Sequence, residues 1–80
     1  MTLEELKIKL QAFNVPTNLY SITTGGLPNE RLCIINEGGM WQVYYSERGI
    51  KSGLKSFETE NEACDYFWRK VSRYASGEDI

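Results

Sequence analysis

Four carboxylates, Glu58, Glu60, Glu62 and Asp65, stand within eight residues of one another and are the densest set of groups that could do chemistry. Paired carboxylates can exchange protons or hold a divalent ion. They cluster around the start of a predicted helix, however, where the helix dipole favours acidic residues without any further function. The other reactive types are sparse. The chain has no His, so the commonest general base near neutral pH is missing. Cys33 and Cys64 have neither CxxC spacing nor a His partner, and both fall inside predicted regular elements. They read as reduced, buried core thiols, not as a nucleophile or a metal pair. Gly25-Gly26 lacks the following Lys-Ser/Thr and helix that a phosphate loop requires, and reads as chain reversal. No catalytic, cofactor or metal site is expected.

The elements that must position these groups are legible from periodicity. Gly38 to Gly49 is the organising stretch: Trp41, Val43 and Tyr45 alternate with Gln42, Tyr44 and Ser46 between two glycine-containing turns. That alternation predicts the middle strand of a meander. Arg31–Asn36 precedes it as a strand apolar on both faces. Ile50–Phe57 follows as an edge strand blunted by Lys51, Lys55 and Gly53. Thr2-Leu3-Glu4-Glu5 has the form of a capping box, and Leu3, Leu6, Leu10 and Phe13 then recur at helical spacing up to Asn14 and Pro16. Thr59-Glu60-Asn61-Glu62 repeats the cap. Behind it Ala63, Phe67, Val71 and Tyr74 form a stripe, with Cys64 and Ala75 beside it and Tyr66 and Trp68 on its flanks. Arg69, Lys70 and Arg73 suit the end of that helix.

The expected fold is a single α+β domain over residues 1–80, with 76–80 as a frayed tail. Its order is α-β-β-β-α, a two-layer sandwich with a three-stranded antiparallel sheet and both helices on one face. Leu19–Ile22 can add a short strand. Trp41, Val43 and Tyr45 should face the helices, leaving Gln42, Tyr44 and Ser46 on an open face.

Composition narrows the function. A hydrophobic content of 41% suffices for a small packed core, and no apolar run approaches a membrane span. The first residues have neither the basic start nor the apolar stretch of a secretion signal, so a cytoplasmic location is expected. Nine basic against eleven acidic residues give a net charge of −2. That balance disfavours a phosphate backbone as ligand and would welcome a basic protein. A double-stranded RNA-binding domain shares the element order, but it grips phosphates with lysines where this chain has Glu60 and Glu62. A protein-binding role remains, as a generic interaction module or something more particular. Gln42, Tyr44, Glu47, Arg48, Glu62, Asp65 and Tyr66 are the candidate partner-binding residues, since exposed Tyr and Arg commonly anchor interfaces. On this reading Tyr44→Ala and Glu47→Lys weaken binding and leave the fold intact.

A resemblance sharpens the choice. It rests on Leu19-Tyr20-Ser21-Ile22, Gly25-Gly26-Leu27-Pro28-Asn29-Glu30, Trp41-Gln42-Val43-Tyr44-Tyr45-Ser46-Glu47-Arg48-Gly49 and Phe57-Glu58-Thr59-Glu60 leading into Asn61-Glu62-Ala63-Cys64. Over Tyr20 to Trp68 the chain resembles small immunity proteins that accompany bacterial polymorphic and contact-dependent growth inhibition toxins. The resemblance implies a cytoplasmic antidote that binds a toxin domain, often a basic nuclease, and blocks its active site or its access to substrate. It brings no binding residues with it.

Overall fold

The computed structural model describes residues 1–22 and 30–76, the last three by backbone alone. The Gly25-Gly26 reversal and the end of the expected tail lie outside the described residues. Helix α1 spans Leu3–Ala12, and a 3-10 turn at Thr17–Leu19 leads into strand β1, Tyr20–Ile22. Strands β2 (Arg31–Glu37), β3 (Met40–Glu47) and β4 (Ile50–Phe57) follow, and helix α2 (Glu60–Ser76) ends the described chain.

Both ends of α1 are written into its sequence. The Glu5 amide donates to Thr2 Oγ1 at 3.2 Å and the Thr2 amide donates back to Glu5 Oε1 at 2.7 Å, completing the capping box. At the other end Asn14 sits in the left-handed region at φ 54°. The Val15 amide then reaches the Leu10 carbonyl at 3.0 Å and the Asn14 amide the Gln11 carbonyl at 3.1 Å. Those two bonds make a Schellman motif, and the burial of both Val15 and Leu10 completes it with an apolar contact. Pro16 follows where the helix has already stopped.

Both hairpins use two-residue loops with positive φ at each position, the mark of a type I′ turn. Gly38-Gly39 meets that demand freely at φ 60° and 87°; in Arg48-Gly49 the arginine must adopt φ 50°. The sheet order is β1-β2-β3-β4, with β1 parallel to β2 and the other pairs antiparallel. The sheet is therefore four-stranded and mixed: the expected three antiparallel strands are joined by the short strand open at Leu19–Ile22, which pairs parallel. Leu32, Cys33, Ile34 and Ile35 explain the difference: a strand apolar on both faces belongs inside a sheet, and Tyr20–Ile22 supplies its second neighbour.

The helices also sit differently from the expected pair lying on one face. Helix α2 crosses β2, β3 and β4, while α1 packs chiefly on α2. One core joins Leu6 and Leu10 of α1, Leu32, Ile34 and Val43 of the sheet, and Ala63, Cys64, Phe67 and Val71 of α2. Trp41, Tyr45 and Phe57 pack against it, as the alternation of β3 requires. Phe13 departs from the expected stripe: it is 65% exposed and meets only the edge of Trp68, with ring centroids 5.2 Å apart.

The face of the sheet away from the helices is not open. Tyr44 is 1% exposed and Ser46 is wholly buried, and Cys33 and Ile35 form a second small cluster with Tyr44. Cys33 lies directly opposite Tyr44 in the β2–β3 register, and Lys51 Nζ rests 4.7 Å from the centre of the tyrosine ring. A period-two pattern shows that Tyr44 points away from the helices. It does not show that this side is wet.

Candidate partner-binding surfaces

The strands and helices carry the candidate residues to different places. Glu47 and Arg48 are exposed at the β3–β4 turn. Glu62 and Asp65 lie in the first turns of α2, beyond the far end of β4, some ~23 Å away at the rise per residue of a strand. Gln42 is half-buried on the face away from the helices, opposite Ser56. Tyr44 lies beneath the surface, so its replacement by Ala alters packing and is no mere surface change. Tyr66 turns towards β4, where its ring packs on Phe57 with centroids 5.3 Å apart. The seven residues do not form one patch.

A different constellation does. The Leu3 amide donates to Glu60 Oε2 at 2.7 Å, so the first turn of α2 caps the first turn of α1. The Met1 amino group reaches Asn61 Oδ1, and lies 3.3 Å from Asp65 Oδ1. Further along, Phe13 meets Trp68, and Lys9 Nζ lies 4.8 Å from the Trp68 ring. The two helices therefore run side by side in the same direction, with both N-termini at one end. The Gly38-Gly39 turn and the end of β4 share that end, because Trp41 pairs with Phe57. Residues 1–5, 36–41 and 56–65 thus meet there. They contain Glu4, Glu5, Glu37, Glu58, Glu60, Glu62 and Asp65, and not one Lys or Arg. Seven of the eleven acidic residues crowd this end while all nine basic residues lie elsewhere, a polarity that the net charge of −2 conceals.

Local chemistry divides these carboxylates. Glu5 and Glu60 serve the cap of α1. Glu62 accepts from Thr59 Oγ1 at 3.0 Å, and that same oxygen accepts from the Glu62 amide at 3.2 Å, which starts α2. Glu4, Glu37 and Glu58 are exposed and extend the negative field outward, while the exposed Asp65 faces the Met1 amino group. The carboxylates are spread across the end and do not converge: among the described residues no group of three or more His, Cys, Asp or Glu is arranged to hold a metal ion.

A second feature lies between α2 and β4. A cavity of about 340 Å³ opens there, lined by Tyr45, Ser52, Leu54, Lys55, Tyr66 and Lys70 among others. Its origin is a bulge. Between the pairs Val43–Lys55 and Tyr45–Ser52, β3 contributes one residue and β4 two, Gly53 and Leu54, with Gly53 at φ 63°. The helix-facing positions of β4 are then Ser52 and Lys55, too polar or too small to fill the space under α2. The bulge also places Lys51 and Lys55 on opposite faces, one opposite Ser46 and the other opposite Val43.

The two thiols are sealed in. Burial raises the pKa of Cys64 from 9.0 to about 11, and the nearby Glu60 carboxylate adds to the shift. Burial likewise raises the Cys33 thiol, whose sulfur lies 3.6 Å from the Arg31 carbonyl. Neither is an activated nucleophile.

Fold and surface together define a small α+β domain with a four-stranded mixed sheet and strongly separated charge. Among the described residues no helix is long and apolar enough to cross a membrane. No family model, no curated protein and no solved structure matches the chain.

Proposed function

We propose that this protein is an immunity-type antidote, acting in the cytoplasm, that binds a basic toxin domain through its acidic end. The observation that carries the reading is the gathering of seven carboxylates, with no Lys or Arg and the Met1 amino group as the one cation in those segments, where both helices begin. The resemblance over Tyr20 to Trp68 supplies the kind of partner. A nuclease must hold phosphates and therefore carries a basic active-site surface. Carboxylates fixed on a rigid pair of helix N-termini can stand where those phosphates would stand, and so exclude the substrate. Separated charge also orients the inhibitor as it approaches, which raises the association rate more than it raises affinity. A phosphate-gripping role is disfavoured by the same feature, since Glu60 and Glu62 open α2 where an RNA-binding domain of this order needs lysines.

The test is co-expression and co-purification with the protein encoded by the adjacent gene. The expected result is rescue of growth and a stable complex. Its association rate should fall steeply with salt and drop at least tenfold when Glu4, Glu58 and Asp65 are all replaced by Lys. A complex whose association ignores both changes would remove the acidic end from the interface.

A further inference from the structure

Strand β4 is one edge of the sheet, and apart from its last residue, Phe57, it is exposed along its whole length. Among the described residues it pairs only with β3 on one side and meets α2 above. An exposed edge presents a row of backbone donors and acceptors that another strand can complete. Its charge decides which strand. Ile50 to Phe57 holds Lys51 and Lys55 and no carboxylate. A second copy pairing antiparallel about Gly53 would bring four lysines and no carboxylate into one contact. The edge therefore turns away its own kind and favours a strand that carries carboxylates.

The cavity beside this edge adds specificity. Lys55 and Lys70 line it together with Tyr45, Tyr66 and Ser52. All five can donate a hydrogen bond to an anion. The rings and Leu54 supply apolar walls, and about 340 Å³ is ample for one acidic side chain. A strand added outside β4 would direct alternate side chains towards α2, where the cavity opens.

We propose that β4 and the cavity under α2 form a docking site for an extended acidic segment of a partner protein, which joins the sheet as a fifth strand and places a carboxylate between Lys55 and Lys70. The site lies away from the acidic end and does not depend on the antidote reading.

The test uses an end-capped octapeptide that alternates Glu with Thr and Val, and a second peptide with Lys in place of every Glu. Backbone amide shifts and hydrogen exchange of the protein are followed by nuclear magnetic resonance. The acidic peptide should shift and protect amides within Ile50–Phe57, and the lysine peptide should not. Lys55→Glu and Lys70→Glu, each checked for retained fold by circular dichroism, should weaken the acidic peptide at least tenfold. Three results would overturn the proposal: no protection of β4 amides, binding by both variants as tight as by the wild type, or the same cavity shifts from acetate alone without protection of β4. A chain that sediments as a β4-paired dimer would also overturn it.

Discussion

Replacing Tyr44 by Ala should nearly unfold this protein. The side chain is 1% exposed, lies opposite Cys33, and has the Lys51 ammonium 4.7 Å from its ring centre. Truncating a large buried aromatic to Ala typically costs ~3–5 kcal/mol, from lost transfer energy plus the cavity left behind. A domain of this size has a total stability of roughly 4–12 kcal/mol at the usual yield per residue. The substitution therefore removes from about a quarter to all of it. Tyr44→Phe keeps the ring and loses only the hydroxyl, a change of about 1 kcal/mol. Urea unfolding followed by tryptophan fluorescence measures both, and the slope of free energy against urea tells whether the unfolded reference has shifted. If Tyr44→Ala cost less than about 1 kcal/mol with an unchanged slope, the ring would be on an open face and the burial argument would fail.

Three further outcomes are expected. Glu60→Ala should cost about 1 kcal/mol, because the Leu3 amide loses its acceptor; faster amide exchange in the first turn of α1 alone would locate the loss. Ser46→Ala should raise the unfolding midpoint, worth up to ~1 kcal/mol, since among the described residues the buried Ser46 hydroxyl has no hydrogen-bond partner. The thiols should resist iodoacetamide at pH 8 until urea unfolds the chain. With its folded pKa near 11 against 9.0 unfolded, Cys64 favours the native state fully below pH 9, and that contribution is lost as pH rises towards 11. Cys33 and Tyr44, also shifted upward by burial, act in the same direction.

Local rules explain why so much of the fold was legible. Thr2 and Glu5, Thr59 and Glu62, and the alternation around Trp41, Val43 and Tyr45 are short-range signals, and each produced the element expected. What was not legible depends on contacts distant in sequence. The short strand open at Leu19–Ile22 does form, over Tyr20–Ile22, but its parallel pairing with β2 follows from β2's need for a second neighbour and has no local signal. Helix α1 docks on α2 because Glu60 caps it from 57 residues away. Tyr44 was legible as outward-pointing but not as buried, since alternation fixes a face and says nothing of what covers it. The candidate surface suffered the same way. Glu62 and Asp65 stood out as neighbours in sequence, whereas Glu4, Glu5 and Glu37 join them only when two parallel helices and a hairpin end together. Glu47 and Arg48, adjacent to Tyr44 in the chain, belong to the opposite end of the molecule.

The central claim is that the acidic end meets a basic protein, and a stopped-flow measurement of association tests it most directly. The proposed partner, the product of the adjacent gene, is mixed with wild-type protein and with the Glu4→Lys, Glu58→Lys, Asp65→Lys variant at low and physiological salt. The expected result is a fast wild-type rate that falls with salt, against a variant at least tenfold slower and nearly indifferent to salt. Equal rates for the two proteins, with the same salt dependence, would contradict the claim.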